Sequence, residues 1–101
     1  MAKKIIWSRR AQNDRKEILS YWLKRNKTNT YSKKLNGLFI EAVKIISDYP
    51  DIGKITDEGR ARIKIVGDYI IIYEIEKETI LLLTIWDSRQ NPEKLKGILK
   101  E

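Results

Sequence analysis

Arg62-Ile63-Lys64-Ile65-Val66-Gly67-Asp68-Tyr69-Ile70-Ile71-Ile72-Tyr73-Glu74-Ile75 is the stretch on which the fold turns. From Arg62 to Val66 charged and apolar residues alternate, the period-2 pattern of a strand with unlike faces. Gly67-Asp68 fits a two-residue hairpin connection, and Tyr69 to Glu76 is rich in β-branched and aromatic side chains. Lys77-Glu78 makes a second tight connection to Thr79 to Trp86. That run is almost wholly apolar and predicts a central strand covered on both faces. Three consecutive strands of this kind form a meander.

Upstream the period changes. Lys4 to Trp7 is a short strand-like run that stops at Ser8, a good helix N-cap. From Arg9 to about Asn26, Ala11, Ile18, Leu19, Trp22 and Leu23 mark one face of an amphipathic helix. The polar break Asn26 to Thr30 precedes a second stripe, Tyr31, Leu35, Leu38, Ala42, Ile45 and Tyr49, flanked by Phe39, Val43 and Ile46. Asn36-Gly37 interrupts it without changing its phase, so one helix is expected, with a cost of about 1 kcal/mol for the glycine. Pro50 ends that helix, and Asp51 to Gly59 reads as a loop. Near the C-terminus Asn91 suits an N-cap and Pro92 a first helical position, with Leu95, Ile98 and Leu99 as the apolar side of a short helix. The order β-α-α-β-β-β-α implies an α+β fold, a helical hairpin packed on a small, mostly antiparallel sheet.

Composition narrows the chemistry. At 101 residues the chain has room for one core, and residues 1–101 are expected to form a single domain. It contains no Cys and no His. Disulfides, thiolate metal sites and cysteine nucleophiles are therefore excluded, and the usual metal ligand and neutral-pH base are missing. Serine triads, zinc hydrolases and zinc fingers drop out with them, and neither a metal nor a cofactor is expected. The apolar residues come in short patterned runs and the N-terminus has no apolar export segment, so a cytoplasmic protein without membrane contact is expected. The net charge of +7 is uneven. Residues 1–50 hold 12 Lys+Arg against 4 Asp+Glu, and residues 51–101 hold 9 against 10. A basic first half is drawn to nucleic acid, to a ribosome or to an acidic protein, or it simply keeps the chain soluble.

Four segments together resemble the RelE/ParE toxin superfamily. They are Ile5-Ile6-Trp7-Ser8-Arg9-Arg10-Ala11, the helix exit Tyr49-Pro50-Asp51-Ile52-Gly53, the strand from Gly67 to Ile75, and Ile85-Trp86-Asp87-Ser88-Arg89-Gln90-Asn91-Pro92. They occur in order over nearly the whole chain. The resemblance implies the toxin of a bacterial type II toxin-antitoxin pair, neutralised by a cognate antitoxin protein, with operator DNA bound only through that antitoxin. RelE-like members cut messenger RNA on the ribosome, whereas ParE-like members inhibit DNA gyrase without hydrolysing anything.

Cleavage beside a 2′-hydroxyl needs a base, cations over the crowded phosphate and an acid for the leaving oxygen. The RelE-like alignment puts Arg62 and Lys64 at the two basic positions before the hairpin turn, and Arg89 just after the last long strand. These three residues are the catalytic candidates of a metal-independent endoribonuclease. Alternation sets Arg62 and Lys64 on one face with Val66, where they either meet a phosphate or protect a strand edge by their charge. Asp87 and Arg89 either bind each other or turn the guanidinium toward a target. Two parts of the nuclease pattern are missing. Ile70 stands where that branch has Arg after the hairpin Tyr, and no Tyr follows Arg89. Tyr69 and Tyr73 share a strand face with Ile71 and read as core. These departures favour binding to gyrase, with Trp22, Tyr31, Lys33 and Lys34 of the helical hairpin as part of a recognition surface. RNA cleavage is the alternative, and a plain RNA-binding module stands third because no RNP-like strand or Gly-rich phosphate loop is present.

Overall fold

A computed structural model describes residues 2–56 and 59–89. The elements are β1 (Lys4–Trp7), α1 (Arg9–Asn26), α2 (Thr30–Asp48), a single 3-10 turn (Pro50–Ile52), β2 (Lys54–Ile55), β3 (Ala61–Val66), β4 (Tyr69–Ile75) and β5 (Thr79–Asp87). The expected C-terminal helix around Leu95, Ile98 and Leu99 lies outside the described residues. Five strands form one sheet in the order β1-β5-β4-β3-β2. The meander β3-β4-β5 is antiparallel, as is β2 on β3. β1 runs parallel to β5, with Lys4 opposite Thr79 and Trp7 opposite Leu82. The fold is α+β, as the period change implied.

Local chemistry sets the element ends. Ser8 caps α1: its hydroxyl accepts the Ala11 N–H at 3.0 Å and donates to the Leu83 carbonyl at 2.9 Å. Its own N–H reaches the Leu82 carbonyl at 3.0 Å, so one serine fastens the end of β1 and the start of α1 to β5. At the other end Lys27 adopts φ 58°, a left-handed cap whose N–H bonds the Leu23 carbonyl at 3.0 Å. α2 runs unbroken through Gly37, where a Cβ would meet no atom within 4 Å. Gly67, at φ 60°, takes the first central position of the β3-β4 turn, the pattern of a type II′ hairpin.

The helical hairpin covers one sheet face. Phe39, Val43 and Ile46 of α2 and Ala11 of α1 pack with Val66, Tyr69, Ile71, Tyr73, Ile80, Leu82 and Ile85 of the sheet. Phe39 meets Tyr69 edge to face at a centroid distance of 5.7 Å. The buried face of α2 is rotated from the stripe read in the sequence, because Leu38 and Tyr49 stay 40% and 68% exposed while Phe39 and Ile46 are fully covered. Apolar spacing alone marks a wide stripe, and the sheet selects the part that meets it.

Two further features depart from expectation. The segment 51–59 is not a plain loop, since Lys54–Ile55 pairs with Ile63 and Arg62 as a short edge strand. β5 is central, flanked by β1 and β4, yet its two faces differ: Ile80 and Leu82 are buried while Leu81 and Leu83 are half-exposed. A β-bulge explains the crossover of pattern farther on. Ile72 pairs with Thr84 and Tyr73 with Leu82, so Leu83 is skipped and both Thr84 and Ile85 end up buried.

Candidate functional site

Arg62 is built into the scaffold. Its guanidinium donates to the Gly53 carbonyl at 2.8 Å and the Asp51 carbonyl at 3.2 Å, and it pairs with the Asp51 carboxylate at 3.4 Å. Directly across the ladder, the Tyr73 hydroxyl donates to the Pro50 carbonyl at 2.7 Å and accepts the Gly53 N–H at 2.9 Å. Burial pushes the Tyr73 hydroxyl above the ordinary tyrosine pKa, against the opposing pull of the Gly53 N–H. Together the two side chains clamp the helix exit Tyr49-Pro50-Asp51-Ile52-Gly53 onto the sheet. Gly53 is needed at the centre of this clamp, because a Cβ there would stand 2.5 Å from the Tyr73 oxygen and 3.0 Å from the Ile63 carbonyl.

Lys64 lies two residues on, opposite Ile71 and on the same, helix-facing side of the sheet as Arg62 and Val66. It is half-buried and makes no ion pair among the described residues. β2 begins beside Ile63, so the outer edge of β3 from Lys64 onward is not covered by that strand.

Arg89 sits beyond the opposite end of the hairpin. Its Nε and Nη2 donate to the two Asp87 carboxylate oxygens at 3.0 and 2.8 Å, and its backbone N–H adds a third bond at 2.9 Å. This fork holds the Asp87 carboxyl below its ordinary pKa, chiefly through the side-chain hydrogen bonds, and raises that of Arg89 in return. Arg62 is in register with Tyr73, and Asp87 with Tyr69. Four residue steps of strand separate those rows, about 13 Å. Arg62 and Lys64 share a face, but Arg89 is not brought to them.

Around Arg89 lies an open groove of about 530 Å³ between α1 and the end of β5, lined among others by Asp14, Tyr21, Tyr69 and Asp87. Tyr69 accepts a 2.8 Å hydrogen bond from the Trp22 indole, and burial again raises its pKa. Asp14 turns inward from the otherwise basic α1. Its carboxylate accepts from the Thr84 hydroxyl and from the Ile85 N–H at 3.2 Å, occupying the strand edge that β1 leaves uncovered once it ends at Trp7. No motif marks this residue in the sequence, although its spacing of three from Ala11 and four from Ile18 places an acid on the apolar face of a basic helix, which is a signal. Among the described residues no cluster of acids suits a metal ion.

Where α1 meets α2, Trp22 stands edge-on between Tyr21 and Tyr31, with centroids 5.1 and 4.9 Å away. Trp22 itself is tied inward to Tyr69, whereas Tyr21 and Tyr31 are 53% and 37% exposed. Lys33 and Lys34 are exposed one turn into α2. Among the described residues no helix is long and apolar enough to cross a membrane.

Comparison with known proteins bears on this architecture. A family model for the ParE toxin of type II toxin-antitoxin system, parDE, matches residues 5–92. No curated relative matches the chain. A solved structure titled "Chromosomal ParDE TA system from P. aeruginosa" superposes with a TM-score of 0.73 at 16% identity, covering 85% of this chain and 96% of that one. That likeness bears on the fold alone.

Proposed function

The chain belongs to the ParE toxin family of type II toxin-antitoxin systems, and from that premise we propose that it arrests growth by binding DNA gyrase, without cutting RNA. Membership makes it a toxin with a cognate antitoxin as its partner. The observation that carries the choice of target is the engagement of two of its three candidate cations. Arg62 is matched by the Asp51 and Gly53 acceptors, and Arg89 is matched by Asp87. A nuclease without His must converge several cations on one phosphate. Two charges already bound to the chain's own acceptors, one of them through Asp87 on a strand row about 13 Å from that of Arg62, are poorly prepared for that. A toxin that acts by binding needs only a surface, and Tyr21, Tyr31, Lys33 and Lys34 offer aromatic area beside positive charge.

The test reads both outcomes in one induction. Expression of the chain alone is expected to stop growth, lower plasmid supercoiling and raise DNA-damage signalling while transcripts stay intact, and the antitoxin should relieve all three. Purified protein should inhibit supercoiling by purified gyrase. Codon-registered cuts in messenger RNA that vanish in Arg62→Ala/Lys64→Ala/Arg89→Ala would support RelE-like cleavage by those residues and overturn the gyrase reading. The antitoxin is expected to present an acidic segment to the basic first half, with affinity falling as salt rises. Both target and antitoxin imply action in the cytoplasm, with operator DNA reached only through the antitoxin.

A further inference from the structure

A second groove, of about 480 Å³, lies on the other flank of α1 and is lined by Trp7, Gln12, Arg15, Lys16 and Leu19. The Arg15 guanidinium lies over the Trp7 ring, 5.0 Å from its centroid. Stacking of this kind fixes the planar fork and leaves its N–H edges for an acceptor. Neither Arg15 nor Lys16 makes an ion pair with any described residue. The two acids of α1 are directed elsewhere. Asp14 is bound to Thr84 and Ile85, and Glu17 lines the groove on the Arg89 side. Arg9, on the same helix face as Gln12 and Lys16 by its spacing, extends the charge, and no acid stands in the first turn of α1. From Lys3 to Lys27 there are 9 Lys+Arg against 2 Asp+Glu, an excess of +7 that equals the charge of the whole chain.

We propose that this groove binds single-stranded nucleic acid, Arg15 and Lys16 holding a phosphate while the adjoining base packs against Leu19 and the edge of Trp7 that Arg15 leaves open. The groove has an apolar wall and a cationic one, and a nucleotide has a flat apolar base joined to an anion. An acidic peptide supplies the anion without the flat body, and duplex DNA keeps its bases stacked out of reach of such a wall. The site is separate from the Arg62, Lys64 and Arg89 set and does not depend on which target the toxin has.

The test is fluorescence anisotropy of a labelled 12-nucleotide single strand titrated with the full chain at several salt concentrations. Binding is expected at 50 mM salt, with a log–log salt slope that falls by roughly 0.7 in Arg15→Gln/Lys16→Gln, one neutralised phosphate being lost. Affinity should drop by roughly tenfold in that variant and be unchanged in Lys54→Ala/Arg60→Ala, which removes equal charge at the β2-β3 edge of the sheet, opposite β1. Arg15→Lys keeps the charge but loses the fork and should fall between. Thermal melts of each variant separate lost binding from lost fold. Absence of binding by the parent chain at 50 mM salt, or equal weakening in both double variants, would overturn the proposal. So would tighter Arg15-dependent binding of a poly-glutamate of the same charge, which assigns the groove to an acidic protein.

Discussion

Arg62 illustrates how one side chain carries two readings that only geometry separates. Its charge suits a phosphate, but its hydrogen bonds close the helix exit, so its removal acts first on stability. Arg62→Ala is expected to destabilise the chain by about 1–3 kcal/mol, the range for losing charge-assisted bonds at a partly covered site. Chemical denaturation checks this, and any loss of toxicity in that variant must be judged against the soluble, folded fraction. Tyr73→Phe should cost a similar ~1–3 kcal/mol by leaving the buried Gly53 N–H without its acceptor. The ionisable residues give two pH signatures. Asp87 has a depressed folded pKa, so the stability from its fork with Arg89 is present above the unfolded value of about 4 and is lost as pH falls through the folded one. Tyr73 has a raised pKa, so its contribution is complete below about pH 10 and is lost as pH rises through the folded value. Melting profiles of Asp87→Asn and Tyr73→Phe should therefore flatten at the acid and the alkaline ends respectively.

At the scale of elements, the helices carry identifiable penalties at points that touch nothing. Gly37 sits in mid-helix with open space where a Cβ would go. Gly37→Ala should stabilise the chain by up to about 1 kcal/mol, read as a higher denaturation midpoint. Lys27 closes α1 in the left-handed region, so Lys27→Gly should raise stability by about 0.5–1 kcal/mol without altering the binding face. Ser8→Ala is expected to act in the opposite direction, by about 1–2 kcal/mol, because the serine both caps α1 and bonds β5. Hydrogen exchange at the Ala11 amide would register that loss locally. The elements themselves were legible in the sequence: Ser8 and Pro50 bracket the helices, and Gly67-Asp68 marks the hairpin. β2 was not, since two residues with no periodicity become a strand only when Arg62 and Ile63 offer them an edge. The bulge at Leu83 was hidden for a related reason, as register exists between strands and not within one.

At the scale of the whole molecule, charge and core are separated. The basic residues concentrate on β1 and the helical hairpin, while residues 51–101 hold 9 Lys+Arg against 10 Asp+Glu, and the apolar interior lies between helices and sheet. Association with an acidic antitoxin segment should therefore weaken with salt, whereas the melting temperature of the free chain should respond much less, because its core is apolar. A salt series on the complex and on the free toxin tests both halves of that statement. The sequence by itself determined the α+β class, the ends of the helices and the meander, because those depend on side-chain period, caps and turn residues that act over a few neighbours. It also determined that the chemistry must proceed without Cys or His. Only the tertiary structure decided that β1 lies parallel beside β5, that Asp14 covers the strand edge β1 leaves uncovered, and that Arg62 and the Asp87 that holds Arg89 stand on rows about 13 Å apart, each arginine bound to the chain's own oxygens. Residues far apart in sequence had to be packed against one another before a cation's nearest acceptor could be known, and electrostatic function depends on that nearest acceptor.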